Sequence, residues 1–349
     1  MKLPAPRGPV SAAVIGVLAG GGAGLSGVAP LPGSPESVLR DEDLQLALFV
    51  CYELHYRGWD GVDDRWEWNP DLLRVRAAAE ERFEAALRSI AGTASGPVEP
   101  RAMPRLLTAI VEDGDGPSLS AYLGARAGYD QFREFVMHRS VYHLREADPH
   151  TWAIPRLAGR PKAALVEIQQ DEYGNGVPER MHQELFRQTM RWFGLDLTYG
   201  AYVGTAGALT LATNNLMSLF GLHRRLRGAL LGHLAAYEMT SSLPNRAYAN
   251  GLRRLGGDPA ATRFYDEHVE ADAVHEQIAA HDLCGSFAAA EPEAAPEVLF
   301  GARCAVALDA LWAADVLAAW GRGESCLLAT PGAAPVRLGA ATSRTSAIS

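Results

Sequence analysis

Four cysteines in 349 residues, Cys51, Cys284, Cys304 and Cys326, form neither a CxxC pair nor a framework of regular spacing. That argues against a disulfide scaffold and a thiolate-bound structural zinc, and suits a reduced, cytoplasmic protein. Positive charge is also in short supply, with 32 Lys and Arg against 41 Asp and Glu, a formal charge of −9. No Lys/Arg cluster interleaves with aromatics, so a nucleic-acid partner is not expected. No segment reads as transmembrane. The best candidate for a membrane span, Ala302 to Trp320, carries Arg303, Asp309 and Asp315 and reads as a core helix, so no membrane partner is expected. Lys2 and Arg7 precede the apolar run Ala12–Ala19, but the following GGGAG and Pro/Ser stretch offer no cleavage site of the secretory kind. Strand-like alternation and internal repeats are missing too, which leaves an all-α chain.

What remains is helical periodicity in an ordinary globular composition, 48% hydrophobic and 21% charged. Residues 1–40, rich in Gly, Pro and Ala, read as a flexible leader, and 322–349 as a flexible tail. Between them, 41–321 form a single helical domain of roughly nine to eleven helices. Asp41 to Tyr56 is amphipathic, with acids in its first turn and Gly58 ready to stop it. Asn69–Pro70 is an N-cap followed by proline at the first helical position, opening a helix to Ile90. Further helices are expected near 101–113, 118–126, 128–147, 162–172, 178–193 and 201–220, and over 222–240, the last ending before Ser241-Ser242-Leu243-Pro244. Glu297–Trp320, apolar nearly all round, closes the domain.

The stretch 261–281, ATRFYDEHVEADAVHEQIAAH, has no Pro or Gly and should be a helix. Its His268, Asp272 and His275 fall at about 0°, 40° and −20° around the axis, on one stripe beside Phe264 and Ile278. Burying a carboxylate and two imidazoles is costly without a partner, and a metal ion is one way to offset that cost. The competing reading is an exposed polar helix with coincidental spacing. Other acids and imidazoles occur at suitable positions. Glu179-Arg-Met-His182 is a Glu-x-x-His, and Asp272-Ala-Val-His275 is its Asp counterpart. Glu172, ten residues before His182, is an alternative to Glu179. Glu238 and Glu146 are single acids late in their helices, positions more often taken by solvated residues or helix-end ion pairs. Asp309 and Asp315 could orient ligand imidazoles or simply meet arginines. Residues 49–56, rich in Phe, Tyr and His, could line a substrate pocket.

Taken together, DEYGNGVPERMHQELF, AYEMTSSLPNR and FYDEHVEADAVHEQ resemble the haem-oxygenase-like di-iron oxidases and oxygenases, often labelled iron-containing redox enzymes. The resemblance runs from LHYRGWDGVDDRWEW to the last helix and implies a haem-oxygenase-like helical bundle. It implies metal ligation by Glu172 and His182, by Glu238, and by Asp272 and His275, and it favours Glu172 over Glu179 because Glu172 heads the EYGxG motif. A nitrogen-oxygenating subgroup adds a third histidine and a further glutamate, matched by His268 and Glu146. The implied cofactor is two Fe ions cycling between Fe2+ and Fe3+, with O2 as co-substrate. The implied activity is an O2-dependent oxidase or monooxygenase acting on a small-molecule substrate, an amine or amino acid, by N-oxygenation, desaturation or C–C cleavage. An external electron donor suits that chemistry, and a homodimer is the default assembly. The alternative is a metal-free cofactor-processing or binding protein of the same fold, since fold alone does not choose a function.

Overall fold

A computed structural model describes residues 1–21, 24–28, 33–92, 96–113 and 118–329, apart from the side chains of 271–273. The α-helices in chain order are α1 (Pro9–Leu18), α2 (Pro35–Leu39), α3 (Glu42–Glu53), α4 (Pro70–Ala91), α5 (Met103–Glu112), α6 (Leu119–Ala125) and α7 (Tyr129–His143). They continue as α8 (Gly159–Glu172), α9 (His182–Trp192), α10 (Ala208–Leu222), α11 (Arg227–Arg254), α12 (Pro259–Gln277), α13 (Ser286–Ala290) and α14 (Ala295–Gly321). No β-strand occurs among the described residues. The chain is an all-α, haem-oxygenase-like bundle.

The helix starts follow from local chemistry. Asn69 Oδ1 accepts from the amides of Asp71 and Leu72 ahead of α4, with Pro70 first in the helix. Asp41 caps α3 in the same way, and Asp258 followed by Pro259 opens α12. The bundle centre is the pairing of α11 with α14, which cross at glycines. A Cβ on Gly232 would lie 1.8 Å from the Val298 carbonyl oxygen, and one on Gly301 would lie 1.9 Å from that of Ala229. Only hydrogen side chains permit this approach. Around this pair, α10 is buried on nearly every face, as its Ala/Leu/Thr composition requires.

Three sequence expectations need correction. The leader is not uniformly flexible: α1 lies on α3, burying Val10, Val14 and Leu18. Its first turn is held by Asp43, whose carboxylate accepts from the amides of Val10 and Ser11 at 2.8 and 2.7 Å, the favourable sign for a helix N-terminus. Within the tail, residues 322–329 are also tied down, with the Cys326 amide donating to Glu134 and the Leu328 amide to the Thr205 carbonyl; residues 330–349 lie outside the described residues. Finally, α11 does not stop before Pro244 but runs through it to Arg254. Proline removes one main-chain donor, yet burial against its neighbours carries the helix on, and Thr240 and Ser241 back-bond to the carbonyls of Ala236 and Glu238. The sequence reading does not anticipate α1, α2 and α13.

Candidate metal centre

Two groups of ligand-type atoms converge where α8, α9, α11 and α12 meet the turn after α7. Glu146, Glu172, His182 and His268 form one, and Glu172, Glu238 and His275 the other; within each, the atoms lie within 4.8 Å of one another. Glu172 belongs to both. Every expected ligand with a described side chain is therefore present; the side chain of Asp272 lies outside the described residues. Glu179 sits exposed in a short 3-10 turn and joins neither group, because α9 begins only at His182.

Local backbone features bring these residues together. Glu172 ends α8, and Tyr173-Gly174-Asn175-Gly176 reverses the chain with φ values of 64°, 54° and 79° at residues 174, 175 and 176. A Cβ at Gly174 would lie 2.6 Å from the Arg180 carbonyl carbon and from the Met181 nitrogen. The break folds His182 back onto Glu172, with His182 Nδ1 3.0 Å from Glu172 Oε2 and 3.6 Å from Glu146 Oε1. Along α12, seven residues rise about 10 Å. His268 and His275 thus share a face yet serve different groups. His268 donates from Nδ1 to the Phe264 carbonyl at 2.7 Å, which turns Nε2 toward Glu146 Oε1, 3.7 Å away. His275 donates from Nε2 to Asp171 Oδ2 at 3.0 Å, so its Nδ1 faces Glu238 Oε2 at 3.4 Å.

The electrostatics are those of crowded acids and imidazoles. Burial would raise the Glu146 pKa, but His143, His182 and His268 outweigh it and hold the carboxyl well below its ordinary value. Burial opposes protonation of His182 and His275, yet Glu172 and Glu146 raise the first well above its usual range. Glu238 and Asp171 raise the second to about 9. Burial keeps the pKa of Glu238 above the usual carboxylate range. Glu146 Oε1, Glu172 Oε2, His182 Nδ1 and His275 Nδ1 are buried and meet one another, Glu238 and His268 through ion-pair contacts of 3.0–3.7 Å that fall outside hydrogen-bond geometry. Oxygen and imidazole donors clustered in this way, with one carboxylate common to both groups, fit iron ions well.

A family model described as "Iron-containing redox enzyme" matches residues 133–310, just over half of the chain and all the residues of both groups. The chain belongs to that family. Nitrosourea synthase of Streptomyces achromogenes subsp. streptozoticus is 27% identical over 165 residues, 47% of this chain and 35% of that protein. The chain therefore spans about a third of the length of the curated relative it matches.

Two residues of this iron-containing redox enzyme escape sequence reading. Asp171 orients His275, and His143 bonds Glu146 Oε2 through Nδ1. Only the adjacency of Asp171 to the EYGxG motif hints at the first; nothing local marks the second. Of the two alternatives for Asp309 and Asp315, the structure has the arginine pairs, with Arg139 and Arg40. Beside the ligand groups lies a cavity of about 190 Å³, lined among others by Tyr142, Glu146, Glu172, Tyr237, Glu238 and Asn245. No residue of 49–56 lines it: Phe49 and Tyr52 are core, and His55 bonds Glu67. Pro244 does line it, so the proline carried within α11 helps to shape the wall.

Proposed function

We propose that this chain is a non-haem di-iron, O2-dependent oxidoreductase acting on a small molecule held in the 190 Å³ cavity. The observation that carries the reading is the convergence of six buried or nearly buried carboxylates and imidazoles in two groups of ligand-type atoms sharing Glu172. Crowding three carboxylates and three imidazoles together in the interior is costly without a cation to hold them, so a metal-free protein of this fold is the poorer account.

One ion would be held by Glu146, Glu172, His182 and His268, and a second by Glu172, Glu238 and His275, with Asp272 as a further candidate. Bound there, iron supplies the redox equivalents for reducing O2 and oxidising the substrate, with an external donor restoring the ferrous state. The surrounding chain prepares the donor atoms. The Asp171 carboxylate keeps the His275 proton on Nε2 and leaves Nδ1 free to ligate. The Phe264 carbonyl does the same for His268, with the proton on Nδ1. His143 steadies the second oxygen of Glu146. The cavity holds the substrate against Glu146, Glu172, Glu238 and His268, all of which line it. Oxygenation at nitrogen is the favoured outcome, supported by the name of the nitrosourea synthase relative and by the Glu146 and His268 pair.

Anaerobic titration with ferrous iron tests the proposal. Two irons per chain, an absorption change on admitting O2, and loss of iron in His275→Ala and Glu238→Ala are expected. Wild-type protein that takes up no iron stoichiometrically would overturn it.

A further inference from the structure

Residues 49–56 stay out of the substrate cavity, yet three of them meet at one buried charge. Arg145 Nη1 donates to Glu53 Oε2 at 2.9 Å, and both side chains are 0% exposed. The guanidinium lies 4.9 Å from the centre of the Phe49 ring and 4.6 Å from that of Tyr56. The Tyr199 hydroxyl donates to the same Glu53 oxygen at 2.8 Å. Arg145 Nε and Nη2 are buried outside hydrogen-bond geometry.

Arg145 stands one residue before Glu146, and neither is in regular helix. α7 ends at His143, and a 3-10 stretch, Asp148–Arg156, follows the turn. Within the turn the Arg145 amide donates to the Tyr142 carbonyl at 2.9 Å, and the Asp148 amide to the Arg145 carbonyl at 3.0 Å. Neither bond involves the Glu146 backbone; the holds on either side of it come from distant elements. α3 holds residue 145 through Glu53. α8 holds residue 147, where Gln169 Nε2 donates to the Ala147 carbonyl at 2.9 Å. Tyr173, just past α8, donates to Asp148 Oδ1 at 2.8 Å.

A buried charge pair is a poor device for stability, since apolar side chains of similar volume often do as well or better. What a charge-assisted hydrogen bond adds is a fixed direction, which apolar contacts do not supply. We infer that Glu53 and Arg145 are a positioning pair: they set the turn after α7 so that Glu146 meets His182 and His268. The inference rests on reading Glu146 as a member of the first ligand group. It gives the stretch 49–56 a part in the site, at one remove from the ligands.

The test replaces the network as a unit in the full chain, Glu53→Leu with Arg145→Met and Tyr199→Phe, so that no buried charge is left alone. Its first readout needs no iron. Hydrogen–deuterium exchange of the iron-free protein should be about tenfold faster or more in peptides covering 142–150, and unchanged in those covering 182–192 and 262–275. The second readout is a cycle on ferrous-iron affinity, followed by anaerobic chelator competition. With Glu146 present, the triple replacement should lower the affinity about tenfold or more. In a Glu146→Ala background it should change the affinity less than about twofold. A tie that served stability alone would speed exchange across the chain and have the same iron effect in both backgrounds. Wild-type exchange at 142–150, or an equal loss of affinity with and without Glu146, would overturn the inference. If the triple variant fails to fold, Arg145→Lys keeps a charge for Glu53 but loses the planar fork, and about threefold replaces tenfold in both readouts. A wild type that takes up no iron would refute the di-iron reading, while faster exchange confined to 142–150 would leave the positioning pair standing.

Discussion

Replacing Asp171 by alanine removes the carboxylate that accepts the His275 Nε2 proton at 3.0 Å. Asp171 is not itself in either ligand group, and its side chain is 45% exposed, so the fold should survive the change. Its other oxygen accepts from the Asn175 side-chain amide at 2.8 Å. The predicted loss is that of an outer carboxylate on a ligand histidine, about 10- to 100-fold in metal affinity, or roughly 1.4–2.7 kcal/mol. An opposing effect exists. Asp171 also helps to raise the His275 pKa, and removing it reduces proton competition for Nδ1. That relief is the smaller, because Glu238 is a larger cause of the elevation than Asp171. Asp171→Asn keeps an acceptor and loses only the charge, so its loss should stay below tenfold. The assay is anaerobic competition between the protein and a coloured ferrous chelator. Only the weaker class of site should move, since the group built on His182 and His268 does not involve Asp171. Equal weakening of both classes, or no change in Asp171→Ala, would refute the idea that this hydrogen bond presents His275 to a metal.

Three further outcomes are expected. Gly174→Ala places a Cβ 2.6 Å from the backbone at 180–181 in a left-handed residue, costing at least about 1–2 kcal/mol; thermal unfolding should show the loss and iron assay a weakened first group. Gly301→Ala forces apart the crossing of α11 and α14, destabilising by about 1–3 kcal/mol in denaturant titration with iron-site chemistry intact in the folded fraction. The iron-free protein should lose stability on the alkaline side. His275 has a folded pKa of about 9 against an ordinary 6.5, so its contribution is complete below 6.5 and disappears as the pH rises toward 9. Glu146, depressed by its histidines, contributes above the ordinary carboxylate value and loses that contribution as the pH falls below it. Ferrous iron, which replaces those protons, should flatten the alkaline fall in a plot of unfolding midpoint against pH.

The parts of this molecule legible in its sequence are those governed by local rules. The Asn69–Pro70 start and the shared face of His268 and His275 follow from capping and from a 3.6-residue period, and the structure has both. Glu146 and Glu238 stand out in the sequence only as single late-helix acids, and resemblance to a family is what marks them as ligands, because a lone acid carries no signal of what it faces. The illegible parts depend on distant atoms. Gly and Pro made 1–40 look mobile, but whether α1 forms depends on Asp43, more than thirty residues away in α3. Pro244 looked like a stop because its effect on its own turn is unfavourable; burial of the whole of α11 outweighs that. For Asp309 the sequence leaves an imidazole or an arginine partner open, because an acid interrupting an apolar helix does not say what it meets; Arg139 across the bundle decides it.

The same division between regular and irregular segments bears on how the two ligand groups would fill. The first takes both of its imidazoles from regular helix: His182 opens α9, and His268 lies within α12, its ring fixed to the carbonyl one turn back. The second draws on residues beside irregularities. Glu238 lies six residues before Pro244, and His275 three residues before a π-helical stretch, Ile278–Gly285. Such segments open at lower free energy than uninterrupted helix, and ordering them would draw on the binding energy of an ion. The first group also offers four described ligands against three in the second. Ferrous iron should therefore bind in two phases, the tighter at Glu146, Glu172, His182 and His268. Glu238→Ala should remove the weaker phase alone, and His268→Ala should lower the tighter one. Glu172→Ala, which strips both groups of their common carboxylate, should lower both. A single phase in wild type, or loss of the tight phase in Glu238→Ala with the weak one retained, would reverse this order.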